Sequence, residues 1–272
     1  MQVIDLAKSL IKNTLFPQGS VRAVLLGPCR GIRYRVFPGY GWAYIYGGWE
    51  RRLVRRMTDL ISPGSTVYDV GANYGMHTLL FARLVGPSGR VYAFEPHPGV
   101  FSCLKEQLDL NGFRTVVPVC KAVCEESGTG FFDETEQRST GHLTDPARGH
   151  LRVQTTSLDD LVFGGCAAPP DFIKIDIEGA ESRALRGAMN TLQQYHPALV
   201  IELHNPAEDK AVGDILASLR YSAFRVHDGS RVQDMRSGWP DPNGMWGTVL
   251  AVPETLPASI TRVSLPCRPS IQ

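Results

Sequence analysis

The chain has 272 residues, of which 43% are hydrophobic and 20% charged, and its formal net charge is +1. This is the usage of a globular chain that can bury a sizeable core, and it excludes a disordered, collagen-like or small disulfide-stapled protein. No apolar run reaches the roughly 18–20 residues of a membrane span, and Asp5, Lys8 and Lys12 interrupt the start of the chain, unlike a secretory signal. A soluble cytoplasmic protein without a membrane span is expected. Residues 1–60 hold ten Lys and Arg against Asp5, Glu50 and Asp59. Such a basic segment is either a solvated face or an attraction for an anionic substrate or lipid headgroup. The six cysteines form no CxxC pair and read as free thiols, with Cys120 and Cys124 on one side of a single strand.

In chain order, Met1–Leu15 has the spacing of an amphipathic helix, with Val3, Leu6, Leu10, Ile11 and Leu15 near one face. Val21–Gly48 reads as short strands and turns, and Trp49–Ile61 as a helix ended by Ser62-Pro63-Gly64. A strand–helix alternation follows: strands at Thr66–Val70, Arg90–Phe94, Thr115–Ala122, Phe172–Ile175 and Ala198–Leu203. Helices are expected up to Val85 and over Pro98–Leu110, Gly179–Tyr195 and Ala207–Leu219, with last strands at Ala223–His227 and Gly247–Val252. Short apolar runs at this spacing predict an α/β doubly wound sheet, mostly parallel, with an antiparallel last strand. The polar stretch Glu125–Gly165 breaks the rhythm and reads as an excursion over the carboxyl edge of the sheet. The expected organisation is an N-terminal helix and cap over residues 1–61, the main domain over 62–252 and a tail over 253–272.

The first strand of the alternation runs into Asp69-Val70-Gly71-Ala72-Asn73-Tyr74-Gly75. A glycine turn between strand and helix lets backbone amides approach a ligand closely. A carboxylate just before it suits the ammonium of an amino-acid moiety better than a bare pyrophosphate. The next strand ends in Glu95-Pro96, with Glu95 where nucleotide-binding sheets carry a ribose-chelating acid. Together these imply an adenosine-type ligand. Asp69–Gly75 (DVGANYG), Ala93–Pro96 (AFEP), Ile173–Glu181 (IKIDIEGAE) and Leu185-Arg186-Gly187 resemble the FkbM-type S-adenosylmethionine-dependent methyltransferases, from about Trp49 to Val226. The resemblance implies a class I methyltransferase (Rossmann-like) fold. It also implies cofactor contacts from Asp69, Gly71, Ala72, Asn73, Gly75, Glu95 and Pro96, and methylation of hydroxyls on sugars, macrolides or other natural products.

Chemistry in such sheets collects at the carboxyl ends of the strands. Asp176, Glu178 and Glu181 follow one strand end and Glu202 and His204 the next, with Glu202 and His204 on the same side by the period of two. His204 is the first choice as the base that takes the hydroxyl proton, Asp176 the second, with Glu178 beside them. Glu202, Glu181 and His142, the last in the polar excursion, are candidates for the acceptor. Asp176, Glu202 and His204 or Asn205 also make a plausible seat for Mg²⁺ or another divalent metal, a feature similar to catechol O-methyltransferase. The partner expected is a small-molecule hydroxyl acceptor, a glycoside or other secondary metabolite, with no nucleic acid; a homodimer is a further expectation. The rival readings are a methyltransferase acting on RNA or protein, a non-catalytic cofactor-binding module and an NAD-dependent oxidoreductase, which the absent G-x-G-x-x-G opposes.

Overall fold

The structure is a computed structural model, and it describes residues 16–37, 42–133, 141–144, 149–238 and 241–254. The expected helix Met1–Leu15 and the tail beyond Glu254 lie outside the described residues. The chain opens with a hairpin, β1 (Val21–Ala23) and β2 (Arg33–Arg35), then the short helix α1 (Trp42–Ile45) and α2 (Arg51–Leu60). α2 buries Leu53 and Met57 and leaves its arginines toward solvent, which is why that stretch is so basic yet folds onto a core.

The main sheet has seven strands in the order β12-β13-β11-β10-β3-β4-β5. They are β3 (Thr66–Val70), β4 (Arg90–Phe94), β5 (Val116–Val119), β10 (Phe172–Ile175), β11 (Ala198–Glu202), β12 (Tyr221–Arg225) and β13 (Thr248–Pro253). All neighbours pair parallel except β13, which runs antiparallel to both β11 and β12. This is the class I methyltransferase order. Helices α3 (Met76–Val85) and α4 (Pro98–Asn111) pack on one face. There Val67, Val91 and Val200 meet Leu79, Leu104 and Met57, and Tyr34 of the hairpin joins the same core. On the other face Tyr68, Phe94, Ile173 and Ile201 meet α5 (Leu158–Phe163), α6 (Glu181–Arg186), α7 (Met189–Tyr195) and α8 (Pro206–Ser218). Period two along each strand thus fills both layers, and the connections reverse direction between β3 and β10, which opens a crevice at their carboxyl ends.

Three expectations are corrected. The single strand Thr115–Ala122 is two: β5 ends at Val119, and β6 (Ala122–Val123) enters a second sheet. Pro118 is tolerated because β5 is the sheet edge. Cys120 and Cys124 are therefore not on one strand; Cys124 is buried, while Cys120 is half-buried against the Pro96 carbonyl. The excursion at Glu125–Gly165 has strands of its own. It forms β7 (Gly128–Asp133), β8 (His142–Thr144) and β9 (Leu151–Thr156), which with β6 make a sheet in the order β6-β9-β7-β8, followed by α5. The helix expected over Gly179–Tyr195 is broken into α6 and α7 at Gly187, where a Cβ would meet the Cys124 carbonyl oxygen at 2.1 Å.

Candidate active site

The loop after β3 is squeezed between the ends of β4 and β10. The amides of Gly71 and Ala72 both donate to the Phe94 carbonyl, at 3.1 and 2.9 Å. On the other side a Cβ on Gly71 would sit 1.8 Å from the Asp176 carbonyl oxygen, and the residue has φ +82°, so only glycine fits. Asn73 follows with φ 52°, and its amide donates to Glu95 Oε2 at 3.0 Å. The His97 amide donates to Glu95 Oε1 at 2.8 Å. Burial pushes the Glu95 carboxyl up to about 7, against the pull of these two amides, and the nearby Asp69 charge adds to the rise. Each Glu95 oxygen keeps a lone pair for a ligand hydroxyl.

A cleft of about 1160 Å³, its open mouth included, spans this loop and the strand ends beyond it. Gly71, Ala72, Asn73, Glu95 and Pro96 line one part, and Asp176, Glu178, Glu202 and Lys174 another. Phe132, Gly141 and Leu143 of the second sheet line it too. Two cofactor expectations are displaced. Asp69 is fully buried: Thr78 Oγ1 donates to its Oδ2 at 2.6 Å, and its Oδ1 lies 3.9 Å from Lys174 Nζ. Gly75, at φ 85°, starts α3 against Leu104 and does not line the cleft. Both shape the loop from beneath.

The acceptor-side residues converge. Ligand atoms of Asp176, Glu202 and His204 lie within 4.8 Å of one another. Lys174 Nζ, buried, lies 3.0 Å from Asp176 Oδ2. Burial raises the Asp176 carboxyl, but Lys174 outweighs it and holds Asp176 below its ordinary value. His204 is tethered by Nδ1, 2.9 Å from Glu181 Oε1, and its Nε2 lies 3.5 Å from Glu178 and 3.7 Å from Asp176. Burial works against its charge, yet Glu181, Glu178 and Asp176 together push its pKa up to about 9. A ring that holds its proton at neutral pH is a poor base, which weighs against His204 in that role. Asp176, paired with Lys174, is little better. Glu202 differs: burial and the Asp176 charge raise it to about 7, near the pH at which a base works best.

Glu181 is not an acceptor contact. It is fully buried and accepts from the amides of Ile177 at 3.4 Å and Gly179 at 3.0 Å as well as facing His204. Asn205 caps α8 by accepting from the Glu208 amide at 3.0 Å, and of the alternatives His204 and Asn205 it is His204 that lies with Asp176 and Glu202. His97 likewise caps α4, its Nδ1 accepting from Gly99 and Val100. His142 falls in β8, but its side chain lies outside the described residues. Trp49, Glu50 and His77 also line the cleft. Glu50 and His77 belong to different elements, and no spacing rule connects them.

The glycine turn, the buried Glu95 carboxylate and the size of the cleft fit S-adenosylmethionine. Residues 69–226 match the model of the methyltransferase FkbM domain. The chain belongs to the FkbM methyltransferase family. It is an S-adenosylmethionine-dependent methyltransferase. Among its relatives is the hexuronic acid methyltransferase AglP of Haloferax volcanii, 29% identical over 173 residues that cover 64% of this chain and 70% of AglP. Another is the 31-O-demethyl-FK506 methyltransferase FkbM of Streptomyces tacrolimicus, 29% identical over 209 residues, covering 65% of this chain and 78% of the relative. A crystal structure of an FkbM methyltransferase from Methylobacillus flagellatus KT is similar at 22% identity and a TM-score of 0.46, over 71% of this chain and 44% of that one. The FkbM domain match begins at Asp69, so the hairpin, α1 and α2 lie before it. Among the described residues no helix is long and apolar enough to cross a membrane.

Proposed function

We propose that this methyltransferase transfers the methyl group to a hydroxyl of a small molecule, a sugar or other natural product. The observation that supports it is the convergence, in one cleft, of the Glu95 and Gly71–Asn73 cradle with a titratable cluster at the ends of β10 and β11. A hydroxyl must lose its proton as it attacks, and a cluster of this kind serves that step. When bound, S-adenosylmethionine supplies an electrophilic methyl on a sulfonium. Glu95 would accept the ribose hydroxyls, and the glycine turn after β3, which has no side chain at Gly71, would let the rest of the cofactor lie close to the backbone. Glu202 accepts the proton from the acceptor hydroxyl. Lys174 keeps Asp176 ionised beside it, and the His204 cation offsets the surrounding carboxylates. Fixing both reactants in line supplies much of the rate gain.

A divalent cation is a second reading, favoured by the closeness of Asp176, Glu202 and His204. These three would hold it, and it would polarise the hydroxyl as a Lewis acid. Transfer of a labelled methyl from S-adenosylmethionine to a panel of glycosides and macrolides, before and after dialysis against EDTA, tests both. Label on an acceptor oxygen, undiminished by EDTA, is the expected result. Loss restored by Mg²⁺ would favour the metal reading, and label on nitrogen or on protein or RNA alone would overturn the acceptor class.

A further inference from the structure

Five described residues other than glycine hold positive φ, and Glu50 (41°), Asn73 (52°) and Glu178 (58°) among them line the cleft. Such backbone costs free energy and persists at functional sites when the surroundings impose it. Asn73 and Glu178 belong to the cofactor loop and the β10 end already described. Glu50 belongs to neither. It sits at the start of α2, where an acidic side chain ordinarily accepts from free amides, yet it makes no such bond. Its carboxylate reaches instead to α3, 3.1 Å from the buried Nε2 of His77. The Trp49 ring lies tilted beside the His77 ring, with centroids 4.4 Å apart. The structure buries Tyr44, exposes Tyr46 to solvent and leaves Trp49 on the cleft.

We propose that Trp49, Glu50 and His77 form the acceptor-recognition wall, which takes an uncharged sugar ring with neighbouring hydroxyls and rejects a carboxylated one. This rests on the methyl-transfer reading above and deepens it. An indole face is electron-rich and attracts the polarised C–H face of a pyranose. Glu50 accepts hydrogen bonds from two adjacent hydroxyls, and His77 fixes the carboxylate's direction. The same chamber carries Asp176, Glu178 and Glu202, and the Lys174 cation is already engaged by Asp69 and Asp176. A uronic carboxylate would enter beside the carboxylates of Glu50, Asp176, Glu178 and Glu202, whose cations Lys174 and His204 are already paired with them, while the remaining cleft lysine, Lys121, belongs to the turn after β5; this is selection by repulsion. Trp49 and Glu50 precede the matched FkbM domain.

The test uses the full chain saturated with S-adenosylhomocysteine and titrates methyl glucopyranoside and methyl glucuronide by saturation-transfer NMR. The expected result is at least about tenfold tighter binding of the neutral ring. Trp49→Ala and Glu50→Gly should each weaken it about tenfold, and Trp49→Phe should restore most of the loss. Glycine suits positive φ, so Glu50→Gly removes the carboxylate without straining the fold. Affinity for S-adenosylhomocysteine should stay unchanged in all three. Equal or tighter binding of the glucuronide, no binding of either pyranoside, or unchanged sugar affinity in both variants would overturn the proposal. Failure of the wild type to bind S-adenosylhomocysteine would instead overturn the methyl-transfer reading on which it rests.

Discussion

At the residue scale, Glu202 and His204 show how one strand end produces two opposite titrations. Glu202 faces burial and a neighbouring carboxylate, so its proton leaves only near pH 7. His204 faces three carboxylates, so its proton stays to about 9. With Glu202 as the base, kcat should rise with pH through about 7 and level above it. Glu202→Gln should cut kcat by about 10²–10⁴-fold and abolish that limb, while calorimetry finds S-adenosylhomocysteine binding intact. An unchanged profile in the variant would move the base elsewhere. His204 makes a separate, structural prediction. Its folded pKa lies above the ordinary 6.5, so its contribution to stability is complete below 6.5 and disappears as pH rises through about 9. His204→Ala leaves the buried Glu181 carboxylate without its cation and should cost about 3 kcal/mol at pH 7. Urea titration at pH 7 and pH 10 checks this: the gap between wild type and variant should shrink at the higher pH.

At the scale of the element, helix α8 carries a glycine that propensity alone would replace. Alanine in a helix interior is favoured over glycine by about 1 kcal/mol. At Gly213, however, a Cβ would stand 1.5 Å from the Met235 carbonyl oxygen and 3.2 Å from Met245 Sδ. The packing term should win, and Gly213→Ala should destabilise by about 2 kcal/mol or more, as overpacking does; a rise in the thermal midpoint would show that the segment around Met235 yields instead. The same tension explains what was legible in the chain. Strands β3, β4, β10 and β11 announced themselves because each is a short apolar run with a charged or glycine end, and those ends carry the site. The α6–α7 break was hidden because Leu185, Ala188 and Leu192 keep helical spacing across Gly187, and only the close approach of the Cys124 carbonyl requires the glycine. The second sheet was hidden because β7 and β9 bury little: Phe132, Val153 and Ala122 make its small core, too few to impose a period on a polar stretch. Glu181 read as an acceptor ligand because its burial depends on α6 folding back over the β10 loop. That is a tertiary contact without a local signature.

At the scale of the molecule, the cleft joins three parts that the chain lists far apart: the β3 and β4 loops, the second sheet, and the segment before the matched domain. A ligand that touches the Gly71–Asn73 turn and Glu95 therefore ties β3 to β4 and stabilises the fold as a whole. Binding to the native state alone adds about 2.7 kcal/mol at a ligand concentration of 100 Kd. For a chain of this size that corresponds to a rise in Tm of roughly 5–8 °C. S-Adenosylhomocysteine should produce this shift, and NAD⁺ should produce none, because the loop lacks the G-x-G-x-x-G turn and places Asp69 beneath it. Glu95→Ala removes the acceptor of the Asn73 and His97 amides together with the ribose contact. It should lower Tm without ligand, as buried amides left unpaired cost about 1–3 kcal/mol each, and reduce the ligand-induced rise to near zero. Scanning calorimetry of both proteins with both ligands separates the two effects. A full shift in the variant would place the adenosine end of the ligand away from β4, and a shift with NAD⁺ would give Glu95 a different ribose.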